Sequence, residues 1–267
     1  MFPASTAIRT KTTGAGLPLT RPSLGDEKRS SNENAFPVNR KSNLASIFPL
    51  LRRGFAEMAK DRIRIVVGIS GATGAIYGVR LLEALRLLDV ETHLVVSTSG
   101  WLTLQQECSM DRHAMQSLAD VAHDIRDIGA SLASGSFRHQ GMVVAPCSMR
   151  TLAAVAHGFN DNLLTRAADV TLKERRPLLL LARETPLTLA HLRNMTAAAE
   201  MSAIILPPVP AFYALPQSLD DLIGYTVWRV LDQLGLASES AYPRWEGMRT
   251  HMRSMRAQPD EPSALHA

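Results

Sequence analysis

Cysteine is scarce in this chain of 267 residues, which carries two, Cys108 and Cys147. Two cysteines at that separation form neither a metal-ligand motif nor a disulfide framework. No apolar run approaches the roughly 18 residues that a membrane-crossing helix needs. The dinucleotide fingerprint G-x-G-x-x-G is absent as well. No Asp or Glu occurs before Asp26, although Ser, Thr, Lys and Arg do. That absence suits a mitochondrial transit peptide, which is basic, rich in hydroxyls and poor in acids.

The charge that is present is unevenly placed. Residues 1–57 hold nine basic residues against four acids, a net +5 in a chain whose total is +4. The remainder is close to neutral, so the basic character implies no nucleic-acid footprint on the folded part. Ser, Thr, Asn, Pro and basic residues dominate 1–57, and the segment is expected to be a disordered arm. Besides a transit peptide, it reads as a tail without function or as an upstream extension, since Met58 stands just before the first strand. The expected compartment is the cytoplasm, or the mitochondrion if the arm is a transit peptide. The folded domain is expected over 58–236 and a C-terminal tail over 237–267.

From Arg62 onward the hydropathy becomes regular. IRIVVGIS (63–70), THLVVST (92–98), MVVAPC (142–147), PLLLLAR (177–183) and AIILPP (203–208) are short apolar runs that read as strands. Helical spacing appears in IYGVRLLEALRLL (76–88), RTLAAVAHG, LLTRAADVTLKE, TLAHLRNMTAAAEM and SLDDLIGYTVWRVLDQLG (218–235). Strands that are apolar on both faces and alternate with helices specify a parallel sheet covered on both sides. The expected fold is an α/β, Rossmann- or flavodoxin-like doubly wound domain. Ligands in such sheets bind beyond the carboxyl ends of the strands.

Four segments fall at those ends. VVGISGATGAIYG (66–78) spaces Gly68, Gly71, Gly74 and Gly78 as G-x-x-G-x-x-G-x-x-x-G. A nicotinamide site would also want an acid at the end of the second strand to hold a ribose diol. Ser97, Thr98 and Ser99 stand there instead. Hydroxyls and a glycine-rich helix start suit the phosphate and ribityl chain of a mononucleotide such as FMN. The plainer alternative gives the glycines to tight strand–helix packing. In APCSMRT (145–151), Ser148 and Thr151 can cap a helix whose amides receive a carbonyl or phosphate. Cys147 beside them has no local base and reads as a small buried hydrophobe. Arg166 and Lys173 lie seven apart on one helix and share a face, while Arg183 and Glu184 end a strand. Cations converging at the ligand edge would clamp a phosphate, with a carboxylate beside it to manage a proton. Arg175 and Arg176 read as a solvated helix end. PPVPAFY (207–213) is a stiff loop whose Tyr213 hydroxyl either faces a pocket or packs in the core. His139, His157 and His191 have no ligand spacing and read as structural or solvent-facing.

These segments, together with ETHLVVS (91–97) and PQSLDDLIGYTVWRVLDQLG (216–235), resemble the flavin prenyltransferase family, UbiX and its fungal relatives. The resemblance covers about 62–236 and is nearest in wording to the bacterial members. It implies a metal-independent, FMN-binding subunit of a homododecamer. It implies transfer of a dimethylallyl group from dimethylallyl monophosphate to N5 and C6 of reduced FMN. The product, prenylated FMN, would serve a separate UbiD-type decarboxylase, with ubiquinone biosynthesis the destination by analogy. By position, Gly71, Ala72, Thr73, Ser97, the run Ser148, Met149, Arg150 and Thr151, and Arg183 would hold the flavin. Arg166, Lys173, Glu184, Tyr213 and Arg229 would surround the prenyl phosphate, with Glu184, Lys173, Tyr213 and Thr73 as the catalytic set. Arg150 stands where relatives often carry Lys or a smaller residue, and the arm departs from the bacterial pattern. One alternative is a flavin-dependent cysteine decarboxylase on the same fold, against which Arg150 counts, because those enzymes carry Asn there. The other is a non-catalytic FMN-binding accessory subunit, which would have no use for a phosphate clamp.

Overall fold

The computed structural model describes residues 62–237 and 247–248. The arm expected over 1–57, and nearly all of the tail expected over 237–267, lie outside the described residues. Among the described residues six strands form one sheet: β1 (Arg64–Ile69), β2 (Glu91–Val96), β3 (Val121–His123), β4 (Gly141–Cys147), β5 (Leu178–Ala182) and β6 (Ile204–Ile205). The helices between and after them are α1 (Ala75–Leu87), α2 (Thr98–Cys108), α3 (Arg112–Gln116), α4 (Met149–Ala156), α5 (Leu163–Lys173), α6 (Leu189–Glu200) and α7 (Leu219–Gln233). None of these helices is long and apolar enough to cross a membrane.

Every strand pair is parallel, in the order β3-β2-β1-β4-β5-β6. The chain therefore winds outward from β1 to β3, returns to the other side of β1, and winds outward again. The expected doubly wound α/β fold is the one observed, and its topological switch point lies between β1 and β4. Period-two alternation divides the strand side chains between two cores. Ile65, Val67 and Ile69 pack under α1 and α7, whereas Val66, Met142 and Val144 pack under α4, α5 and α6. With both faces covered, β4 and β5 are buried at every residue. This is why they read as unbroken apolar runs rather than alternating ones.

Side-chain caps set where most helices begin. Ser97, Asp111, Ser148, Asn162, Thr188 and Ser218 each accept a hydrogen bond from a main-chain N–H of the first turn that follows. His191 completes the cap at Thr188 by accepting from the Thr188 N–H, which agrees with a structural reading of this histidine. A Cβ on Gly78 would fall 2.5 Å from the Ala145 carbonyl oxygen and 2.7 Å from Ile69 Cδ1. Helix α1 thus rests directly on β1 and β4, and for this glycine the packing alternative is correct.

Two histidines were invisible as a pair in the sequence. His93 Nδ1 lies 3.0 Å from His123 Nε2, and His93 Nε2 lies 3.0 Å from Glu91 Oε1. Arg64 Nε donates to the same Glu91 oxygen at 3.0 Å, so the chain of polar contacts joins β1, β2 and the edge strand β3. His139 is buried nearby and its Nδ1 donates to the Gly141 carbonyl at 3.1 Å.

Burial, reinforced by the Arg176 charge, pushes His139 from the ordinary imidazole value of 6.5 down to about 4. Burial, and then the neighbouring His93, also lower His123. Both folded-state values lie below the unfolded ones, so between them the unfolded chain binds more protons. The stability these groups contribute is complete above pH 6.5 and is lost as the pH falls toward 4. Thermal melting followed by circular dichroism should therefore show Tm falling between about pH 7 and about pH 4.5. His139→Asn should flatten that slope; a slope unchanged in the variant would contradict the assignment.

Candidate functional site

At the switch point the loop after β1 leads to α1 on one face, and the loop after β4 leads to α4 on the other. One hydroxyl joins them. Ser70, 1% exposed, donates from its N–H and its Oγ to the Pro146 carbonyl, at 3.1 and 2.9 Å. The same Oγ accepts from the Ser148 N–H at 2.8 Å. Ser148 Oγ then accepts from the Thr151 N–H at 3.3 Å and donates to Thr151 Oγ1 at 3.1 Å, which starts α4. The Arg183 N–H donates to the Cys147 carbonyl at 3.1 Å, so the end of β5 is fastened to the same edge. Burial pushes the Cys147 thiol up to about 12. It carries no thiolate near neutrality and behaves as the buried hydrophobe expected.

The turn after β1 runs against the start of α2. A Cβ on Gly71 would fall 2.3 Å from Ser99 Cβ, an approach that requires glycine. The Ser97 N–H donates to the Ile69 carbonyl at 2.9 Å while Ser97 Oγ accepts from the Gly100 N–H at 2.9 Å. Gly74, with φ of 97°, caps α1 without a side chain. Its N–H and that of Ala75 donate to Glu107 Oε2 at 2.8 and 2.9 Å. Glu107 thereby sets a negative charge on the positive end of α1. Sequence reasoning missed this residue, and no spacing in QQEC marks it: only the fold carries the last turn of α2 back to the first turn of α1.

Gly71, Ala72, Thr73, Ser97, Ser148, Thr151 and Arg183 all belong to the loops and helix starts that follow the carboxyl ends of β1, β2, β4 and β5. Met149 packs partly against the core beneath α4. Arg150 is exposed, and its guanidinium pairs with Asp161 at 2.9 Å.

The prenyl-phosphate candidates divide. Tyr213 and Arg229 line one cavity of about 360 Å³ beyond the end of β6, together with Pro207, Phe212, Tyr225 and Thr226. The Tyr213 hydroxyl is hydrogen-bonded to that of Tyr225. Arg229 Nη1 pairs with Asp232 at 2.6 Å. Sequence reasoning missed Tyr225, although it stands one helical turn before Arg229 and so shares its face. Glu184 is exposed just past β5, and its Oε1 accepts from the Thr185 N–H at 3.0 Å.

Arg166 and Lys173 do share a face, as the spacing requires. Arg166 Nε donates to the Ala133 carbonyl at 3.2 Å, and a Cβ on Gly135 would fall 2.8 Å from Lys173 Nζ. They do not converge with Arg183 and Glu184 inside one chain, however. Helix α5 runs antiparallel to the strands. The Leu163 N–H that begins it donates to the Ile125 carbonyl, just past the carboxyl end of β3. The 11 residues of α5 span about 16 Å, which leaves Lys173 near the amino edge of the sheet. There it pairs with Glu174 at 2.6 Å, and Arg166 pairs with Asp169 at 2.8 Å.

The flavoprotein family model matches residues 55–226. The flavin prenyltransferase UbiX of Escherichia coli K12 is 60% identical over 186 residues, covering 69% of this chain and 98% of that protein. The mitochondrial flavin prenyltransferase of Saccharomyces cerevisiae is 50% identical over 187 residues, covering 70% of this chain and 77% of that one. Among solved structures, AnUbiX in complex with FMN and dimethylallyl pyrophosphate superposes with a TM-score of 0.68 at 50% identity, covering 70% of this chain and 100% of that chain. A dodecameric FMN-dependent UbiX-like decarboxylase from Escherichia coli O157:H7 gives 0.67 at 47% identity, covering 69% and 100%. With the wording of its switch-point loops and the extent of these matches in agreement, the chain belongs to the flavin prenyltransferase family of flavoproteins.

Proposed function

We propose that this chain transfers the dimethylallyl group of dimethylallyl monophosphate to N5 and C6 of reduced FMN, releasing phosphate, and that a UbiD-type decarboxylase takes up the prenylated FMN. The observation that carries this reading is the pair of sites along one sheet edge. One is the switch point between β1 and β4, whose flanking loops carry Thr73, Ser97 and Ser148, and the other is a cavity presenting Tyr213 and Arg229. The catalytic unit is the folded domain over 58–236, with 1–57 and 237–267 as appendages. It works in the cytoplasm, or in the mitochondrion if the arm directs it there.

The switch point fits a flavin mononucleotide through its chemistry. It offers the Thr73, Ser97 and Ser148 hydroxyls, the amides that open α4, and the Arg183 cation, with no acid ending β2 to select a ribose diol. Gly71, Ala72, Thr73, Ser97, Ser148 to Thr151 and Arg183 would hold FMN there. Reduced FMN supplies the nucleophilic ring, and the protein's part is to hold both reactants and to manage charge. Arg229 and Tyr213 bind the donor phosphate, and the Arg229 cation stabilises the negative charge that grows on it as the allylic C–O bond breaks. Glu184 takes up the proton displaced at the flavin or passes one to the departing phosphate.

Arg166 and Lys173 complete the clamp from another copy of the chain. Their distance from Glu184 within one chain supports such a shared site, and a dodecamer of the kind reported for the Escherichia coli O157:H7 protein would supply the neighbour.

Purified protein incubated anaerobically with reduced FMN and dimethylallyl monophosphate, with the pyrophosphate in parallel, should yield extracted flavin heavier by one dimethylallyl unit. Unmodified FMN from protein that still binds flavin would overturn the reading in favour of the accessory subunit. Glu184→Gln should lower turnover about 100-fold or more while flavin stays bound. Glu184→Gln and Lys173→Ala chains, unfolded and reassembled together, should recover up to about a quarter of the active sites, because a shared site draws one residue from each copy. No recovery from mixed oligomers would place Lys173 outside the site of its neighbour.

A further inference from the structure

The cavity beyond β6 holds more than the two residues assigned to the phosphate. Its apolar wall is Leu206, Val209, Ala211 and Phe212 with two prolines, Pro207 and Pro210, which have no N–H to donate. Thr226 donates its hydroxyl inward to the Leu222 carbonyl at 3.0 Å, within α7. Among the residues lining the cavity, Tyr213, Tyr225 and Arg229 are therefore the side chains suited to donate to an anion.

The two phenols are not equivalent. Tyr213 is 47% exposed and rides on the proline-rich loop. Tyr225 stands on α7, edge-on to Tyr213 with ring centroids 6.0 Å apart and an angle of 89°. On its other side its ring packs at 5.7 Å against Trp228, which is 5% exposed. The helix and the buried indole fix Tyr225, and Tyr225 in turn meets the Tyr213 hydroxyl.

A hydrogen bond between two hydroxyls has one donor. An anion beside Arg229 offers lone pairs and no proton, so a tyrosine that contacts it must donate to it. If Tyr213 gave its proton to Tyr225, its own lone pairs would face the anion. If Tyr225 is the donor, the Tyr213 proton is directed to the anion, and each bond polarises the next. We propose that Tyr225 is a positioning residue for the prenyl donor: its hydroxyl donates to the Tyr213 oxygen and so presents the Tyr213 proton to the phosphate held by Arg229. This rests on the reading of the cavity as the prenyl-phosphate site. Burial and the bond to Tyr213 push the Tyr225 phenol up to about 12, which keeps it a proton donor through the physiological range.

Steady-state kinetics on a double-mutant cycle tests the assignment. Tyr225→Phe keeps the ring against Trp228 and removes the donor. It should raise KM for dimethylallyl monophosphate about fivefold with kcat within about twofold. FMN affinity and Tm should match the unmodified chain, which a merely structural role would not allow. In a Tyr213→Phe background the same substitution should add less than about a twofold change, because Tyr225 acts through Tyr213.

An unmoved KM in the single variant, or the full fivefold rise in the Tyr213→Phe background, would overturn the proposal. Should Tyr225→Phe lose its fold, Tyr225→Met, of similar bulk and adaptable shape, enters the same cycle. Loss of fold in both would assign Tyr225 to structure and overturn the proposal as well. An unmodified chain that leaves FMN unprenylated defeats the underlying reading; one that prenylates FMN, with KM indifferent to Tyr225→Phe, defeats this proposal alone.

Discussion

The Ser70 hydroxyl is the contact on which the site's geometry depends. At a switch point two neighbouring parallel strands end side by side and their chains turn to opposite faces, so the backbone groups just past the sheet lose their ladder partners. Ser70 replaces that ladder, taking the Ser148 N–H and bonding the Pro146 carbonyl twice. Pro146 itself has no N–H, and the pairing of β4 with β5 shifts register between Val144 and Cys147. A proline inside a central strand is accommodated by such an irregularity, which also re-aims the strand end. The start of α4, Ser148–Thr151, is thus set by a side chain from the end of β1 as well as by its own cap.

Charge is arranged around this bridge by distance as much as by identity. Glu107 covers the start of α1 and the guanidinium of Arg229 sits over a buried tryptophan, while Lys173 lies at the far end of α5. A single chain separates the loops proposed to hold the flavin from part of the proposed phosphate clamp. In the proposed reading, oligomer formation is then a condition of catalysis, because the clamp is assembled between copies.

Much of this was legible in the sequence where local chemistry decides structure. The runs at β1, β2, β4 and β5 are apolar because helices cover both faces, and Ser148 announces itself as a helix cap. The parts that were not legible share a physical cause. Strand β3 is three residues long and exposed along most of its length, and α2 buries only Gly100 and Leu104, so neither carries a strong period. Gly71 and Gly78 look alike in the sequence, yet one meets a neighbouring helix start and the other a strand carbonyl. Glu107 acquires its role from backbone groups more than 30 residues earlier, and Tyr225 meets the Tyr213 hydroxyl only because the chain after β6 turns back onto α7. The seven-residue spacing of Arg166 and Lys173 showed that they share a face but not which end of the sheet that face reaches.

The most direct measurement is FMN affinity in Ser70→Ala, read by quenching of flavin fluorescence. Removing the hydroxyl leaves the Ser148 N–H without its partner in a partly buried setting, so binding should weaken about tenfold or more, with the fold retained. Affinity equal to that of the unmodified chain would show that the loops hold their positions without the bridge, and would overturn the central place given to Ser70.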